Sequence, residues 1–331
     1  MVSPPFCLAA SWKFRVETVC GGVLFDVEHP ARKAGLVSVA PSYRLVGTLV
    51  RDLTFSFDLL TEVAMARIAL GIEYDGTDFR GWQTQQAGVR TVQECLEKAL
   101  SKVADHPVSV VCAGRTDAGV HGTGQVVHFD SDAPREMKSW IMGGNTNLPR
   151  DVTVRWATPV SEEFHARFSA VSRRYRYVIY NHPRPPALYR NQVTWNYRPL
   201  NLNAMREAAG HLVGSHDFTA YRSVHCQAKS PHKTLHSLKL HEFGKVIVLE
   251  AHANAFLMHM VRNIAGVLMT IGAGKRPAQW AREVLESGDR RKGAATAPPF
   301  GLYLVDIEYP DHFDLPREPL GPLWLPDSLE A

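Results

Sequence analysis

No part of this sequence is apolar for long enough to cross a membrane as a helix. The longest candidate, Phe256 to Gly274, is broken by His259, Arg262 and Asn263. The N-terminus, MVSPPFCLAASWKF, lacks the basic region that a secretory signal places before its apolar core. Cysteine is sparse: five residues, at 7, 20, 95, 112 and 226, share no redox or metal-ligand spacing. An odd count of isolated thiols argues against a disulfide scaffold and for a reducing, cytoplasmic setting. The fifteen histidines are scattered, and Lys245 breaks the zinc-protease pattern that His241 and Glu242 begin. No metal site is expected. Nor is a nucleotide cofactor: IGAGK (271–275) has methionine at 269 and arginine at 276, where a phosphate loop needs glycine and Ser or Thr. Gly119, Gly122 and Gly124 miss the dinucleotide spacing as well.

What remains is the composition of a globular protein of 331 residues, 45% hydrophobic and 21% charged, with a net charge of +4. Residues 1–66 carry six basic and six acidic side chains, so the excess lies downstream. They also show no sustained period. Residues 1–65 are therefore expected to be an N-terminal extension, either poorly ordered or lying ahead of the true start, with Met65 immediately before the first confident strand.

That strand is ARIALGIEYDG (66–76). Thr91 then caps a helix, TVQECLEKALSKVA, with Glu94 three residues on and an apolar face of Val92, Leu96, Ala99 and Leu100. The run from Val108 to Val111 and the alternating run from Gln125 to Phe129 read as strands. A helix near 136–144 and the strand VTVRWA follow. In the second half, RYRYVIY (174–180) reads as a strand and NAMREAAGHLV (203–213) as a helix capped by Asn201 or Asn203. A hairpin follows that turns near Phe243–Gly244, then the apolar helix 256–274, the helix PAQWAREVLES and a last strand, GLYLVDIEYP. Antiparallel-looking strands mixed with a few helices define an α+β class, and a duplicated ferredoxin-like (RRM-like) layout fits the order.

Two features point to chemistry. Residues 112–124, CAGRTDAGVHGTG, present one carboxylate, Asp117, on a tight connection between strands. And between Glu163 and Glu207 there is no carboxylate, while arginines 167, 173, 174, 176, 184, 190 and 198 interleave with aromatics. Arginine binds phosphate and aromatic faces stack on unpaired bases, so this span is expected to meet RNA. In RRYRY the period of two puts Tyr175 and Tyr177 on one face and Arg174 and Arg176 on the other. A carboxylate loop beside an arginine-aromatic strand suits an enzyme that modifies an extruded base.

GRTDAGVHGTGQVVHF (114–129) resembles the signature loop of the tRNA pseudouridine synthase A family. YDGTDFRGWQTQ (74–85), NTNLP (145–149), FHARFSA (164–170), RRYRYVIYN (173–181), NAFLMHMVRNIAG (254–266) and GLYLVDIEYP (301–310) resemble further segments of it, in the family's order.

The resemblance implies an isomerase that turns uridine into pseudouridine at positions 38 to 40 of the tRNA anticodon stem-loop, as a cytoplasmic homodimer and without cofactor. It implies two ferredoxin-like halves, 66–167 and 168–325, sharing a mostly antiparallel sheet with the active-site cleft between them; residues 326–331 form a tail. Asp117 would be the nucleophile, attacking the ribose or the base. Arg115 would favour the ionised carboxylate and help hold the flipped-out state. Tyr175 would stack on the uracil, and Leu302 would line the same pocket. Arg135, the segment Phe164, His165, Ala166, Arg167 and Phe168, and the segment His225, Cys226, Gln227, Ala228 and Lys229 match regions that touch tRNA. The competing readings are a non-catalytic RNA-binding protein of the same fold and a glycosylase that would release free uracil.

Overall fold

The computed structural model describes residues 65–326, 328 and 329, and four short strands ahead of them. Those strands are β1 (Lys13–Val19), β2 (Gly22–Glu28), β3 (Arg44–Val46) and β4 (Asp58–Leu60). β1 pairs antiparallel with β2, and β3 with β4. They belong to a unit of their own, Met1–Met65. The expectation for residues 1–65 otherwise falls outside the described residues.

The second unit, Ala66–Ala331, is built on one ten-stranded sheet. Its first half contains β5 (Ala66–Tyr74), α1 (Val92–Ala104), β6 (Val111–Cys112), β7 (His121–Ser131), α2 (Met137–Asn147) and β8 (Val152–Val160). Its second half contains β9 (Ser172–Asn181), β10 (Thr194–Asn196), α3 (Leu202–Gly210), β11 (Gly214–Asp217), β12 (His232–Phe243), β13 (Val246–Ala253), α4 (Met260–Gly272), α5 (Trp280–Ser287) and β14 (Leu302–Glu308). The strand order is β11-β12-β13-β9-β14-β7-β5-β8, with β10 on β9 and β6 on β7. Neighbours are antiparallel except β10 with β9 and β14 with β7. This is the expected α+β class with a mostly antiparallel sheet.

Local chemistry accounts for the helix ends. The Thr91 hydroxyl accepts the Glu94 N–H at 3.4 Å, and the Asn201 side chain accepts the Ala204 N–H at 3.1 Å. The Glu94 carboxylate turns outward to Lys98, at 2.6 Å, instead of back to the cap. Leu96 and Leu100 of α1 and Trp140 of α2 pack on Leu70 and Ile72 of β5 and Val127 of β7. In the second half Met205 of α3 and Ile264 and Leu268 of α4 cover Tyr177, Leu249 and Leu302 of the sheet. On the opposite face, Val178, Val248 and Val305 are covered by Leu325 and Leu329.

β7 and β14 pair in parallel at the middle of the sheet, with Tyr303 opposite His121 and their rings stacked at 4.7 Å. The approach is close enough that a Cβ on Gly124 would lie 2.2 Å from the Val305 carbonyl oxygen. Only glycine fits there. The strand expected to begin at Gln125 accordingly begins four residues earlier, at His121, because the glycines that look like loop residues are what the joint requires. The strand expected over 108–111 shrinks to Val111–Cys112.

The arginine-aromatic strand obeys its period of two but not the role expected of its arginines. Tyr175, Tyr177 and Ile179 lie in the helix-covered core. Arg176, on the other face, is 1% exposed and pairs with Glu250 of β13 at 3.0 Å. It also donates to the carbonyls of Leu320 and Gly321, at 3.1 and 2.9 Å. Arg174 pairs with Glu250 at 3.1 Å and with Glu308 of β14 at 3.3 Å. Arg173 donates to the Arg167 carbonyl at 2.8 Å, and burial lowers its pKa. The span is free of carboxylates in sequence but not in space. Pairing with β13 and β14 brings Glu250 and Glu308 alongside, so Arg174 and Arg176 are structural and do not face phosphate.

Candidate active site

Asp117 sits four residues before β7, in the loop at the start of the central parallel strands. The loop is fixed from several sides. Its turn closes through the Val120 N–H donating to the Asp117 carbonyl at 3.1 Å, with Gly119 at φ +78°, a backbone region that strains any other residue. The Trp82 N–H donates to the Thr116 carbonyl at 3.0 Å, and the Gly119 N–H to the Phe79 carbonyl at 3.3 Å. Tyr74 and Thr116 share a hydroxyl hydrogen bond of 2.8 Å. Gln125, fully buried, grips Gly114 twice, donating Nε2 to its carbonyl at 2.6 Å and accepting its N–H at 3.4 Å. The carboxylate therefore stands on a rigid mount, a quarter exposed.

Two side chains face it, one from α4 and one from the residue that precedes that helix. Arg262 Nη1 lies 3.4 Å from Asp117 Oδ2, while its Nε donates to the Ala297 carbonyl at 2.8 Å and holds the guanidinium in place. His259 Nε2 lies 3.5 Å from the same oxygen. The His259 imidazole is held below its ordinary pKa, chiefly by burial and against the pull of Asp117. Sequence reasoning missed both residues. The signal was present, since they are the polar interruptions of an otherwise apolar run.

Tyr175, on β9, is buried beside this group, with Phe256 edge-on at 5.0 Å. Burial raises its phenol pKa and the Asp117 charge raises it further, so the hydroxyl stays protonated. Leu302 opens β14 and lies in the same apolar cluster as Tyr175.

The other expected residues divide. Arg115 is exposed, and its guanidinium takes no hydrogen bond or ion pair among the described residues; the cation on Asp117 is Arg262. The side chains of Phe164 and Ala166 are fully buried, Phe164 between Tyr309 and Phe313, and neither is open to solvent. From the same segment Arg167 and Phe168 do reach solvent, Phe168 with 76% exposure and its ring 4.4 Å from that of His165. In the second segment His225, Gln227 and Lys229 are exposed, whereas Cys226 and Ala228 pack against the core. Arg135 is exposed and donates to the Val103 carbonyl at 2.9 Å. A cavity of about 620 Å³ lies along β14 and the chain after it and includes none of these groups.

A rigidly held carboxylate, a fixed guanidinium, a half-buried imidazole and a buried tyrosine stand together at one end of a central strand pair, a set of groups that suits covalent catalysis by a carboxylate. Comparison with known proteins narrows that class. The tRNA pseudouridine synthase family profile matches residues 71–169 and 208–310. The tRNA pseudouridine synthase A of Alcanivorax borkumensis is 85% identical over 267 residues, 81% of this chain and all of that protein. The protein of the same name from Pseudomonas aeruginosa is 63% identical over 79% of this chain and 92% of its own length. That from Vibrio cholerae is 55% identical over 80% of this chain and 99% of its own. The chain belongs to the tRNA pseudouridine synthase family.

Proposed function

We propose that Asp117 is the nucleophile with which this enzyme isomerises uridine to pseudouridine in tRNA, at positions 38 to 40 of the anticodon stem-loop. The observation that carries the reading is the Arg262–Asp117 pair at 3.4 Å. It sets a guanidinium against one carboxylate on a fixed mount, in a site that Tyr175 and Leu302 make apolar. Attack by Asp117, at the ribose or the base, accompanies cleavage of the bond between N1 and carbon 1′. The uracil turns in place, carbon 5 bonds to carbon 1′, and Asp117 leaves. Tyr175 supplies the face against which the ring turns. Arg115, unpartnered and exposed, takes a phosphate or a displaced nucleotide once tRNA binds.

Arg135, Arg167, Phe168, His225, Gln227 and Lys229 form the tRNA-facing set, supported by their exposure. The halves 66–167 and 168–325 act as two ferredoxin-like units meeting at β7 and β14, with the cleft at their joint. This reading draws support from the separate helix pair that covers each half. The enzyme works as a homodimer in a reducing cytoplasm. Exposed Leu188, Leu323 and Trp324 are apolar surface for the first, and the free thiols Cys95, Cys112 and Cys226 accord with the second.

The test is incubation with unmodified tRNA transcripts followed by mapping of pseudouridine. The reading expects product confined to positions 38 to 40. Release of free uracil, or modification elsewhere, contradicts it.

A further inference from the structure

We propose that His259 is the base that removes the proton from carbon 5 of the reacting uracil. The inference rests on the reading of Asp117 as nucleophile and adds a second working group to it.

The reaction has a proton to move. When carbon 5 bonds to carbon 1′, its hydrogen must leave as a proton, and the C–H pair returns to the ring to restore the double bond. N1, which kept the electron pair of the cleaved bond, takes up a proton. No proton is consumed overall, but one group must accept it and give it back. Among the described residues, the groups within ion-pair range of Asp117 are Arg262 and His259. A guanidinium does not give up its proton near neutral pH. The Tyr175 phenol is pushed the wrong way by burial and by Asp117. Asp117 is the nucleophile and carries the substrate during the reaction, which leaves His259 as the neighbouring group able to take the proton and return it.

Its placement supports the role. His259 is the residue before α4 and stands at φ 63°, a left-handed conformation that a residue with a Cβ adopts only at a cost. Its carbonyl accepts the Asn263 N–H at 2.8 Å, which fixes the backbone at the helix start. The strained conformation turns the imidazole to Asp117, where 3.5 Å is too long for a good hydrogen bond and leaves Nε2 open to a third atom.

The charges around it suit a base. Asp117 faces it from the loop before β7, Arg262 from the next turn of α4, Arg290 from the turn at 290–292, and His225 from the loop after β11. Burial first, then Arg262, Arg290 and His225, lower the pKa of the imidazole, while Asp117 opposes them. The departure of Asp117 from the substrate restores its negative charge as the proton leaves carbon 5. The imidazole is then at its most basic.

The test compares wild type with His259→Asn, since asparagine tolerates left-handed backbone and keeps the helix start. On transcripts with hydrogen or deuterium at carbon 5 of uridine, the variant should turn over about 10²–10⁴-fold more slowly in single turnover. It should bind tRNA within about threefold of wild type, since phosphate contacts carry affinity. It should also show a primary isotope effect absent from wild type and lose the acid limb of the wild-type pH profile. A turnover close to wild type overturns the proposal. So does a slowed variant with no isotope effect and the wild-type pH profile, which marks a structural role. Full activity of Asp117→Asn would instead overturn the nucleophile reading, and the isotope comparison separates the two failures.

Discussion

Arg176 and Glu250 face each other across β9 and β13, Nε to Oε2 at 3.0 Å, with only 1% and 10% of their side chains exposed. Glu250 also holds Arg174, so one buried carboxylate anchors two arginines. Arg176→Ala would leave that carboxylate short of a partner inside the protein. The expected cost is about 3–5 kcal/mol in urea unfolding. The salt slope of tRNA binding should stay at the wild-type value in whatever fraction folds, because Arg176 releases no counterion.

Phe164 and Phe168 are four residues apart and should respond in opposite ways. Phe164→Ala empties a fully buried site and should cost about 3–5 kcal/mol of stability. Phe168→Ala removes an exposed ring and should leave the melting curve unchanged. If Phe168 stacks on tRNA, its loss should weaken binding by about 1–3 kcal/mol. Denaturant melts and tRNA titrations on the two variants separate these outcomes.

His128 accepts the Ala166 N–H at Nδ1, at 3.1 Å, which keeps the segment around Phe168 in register with β7. Burial, with Arg67 and His165 adding to it, lowers its pKa to about 4. The unfolded chain takes up this proton near pH 6.5, and the folded chain only near pH 4. The stability contribution is therefore intact above pH 6.5 and drains away as pH falls toward 4. The full loss is on the order of 3 kcal/mol. His128→Asn keeps an acceptor without the titration and should flatten that part of the pH dependence, read as the difference between urea midpoints at pH 7 and pH 4.5.

A chain beginning at Met65 should fold and modify tRNA at the full-length rate. Ala66–Ala331 is a unit of its own, and the match to the Alcanivorax borkumensis protein spans that protein's whole length. Insolubility or loss of activity in the shortened chain would assign residues 1–64 a working part.

Elements whose causes are local were legible in the sequence. α1 and α3 begin where Thr91 and Asn201 cap them, and the hairpin turns at Gly244, which adopts φ 63°. Long-range causes were not. β7 starts early because Gly124 must admit β14, almost two hundred residues away. α4 starts at Met260 instead of Phe256 because His259 turns left-handed to meet Asp117. The arginines of β9 resemble a phosphate-binding stripe until β13 and β14 supply their carboxylates. For the same reason Asp117 and Tyr175 could be singled out from their neighbours in the chain, whereas Arg262 and His259 showed only as polar breaks in an apolar run, with nothing local to tie them to Asp117.

The central claim is that the Asp117 carboxylate does the chemistry, and Asp117→Asn tests it most directly. The amide keeps the size and removes the charge and the nucleophile. Single-turnover pseudouridine formation on a transcript with uridine at position 39 should fall by several orders of magnitude, with tRNA affinity within about threefold of wild type. Turnover near the wild-type rate in the purified variant would contradict the account.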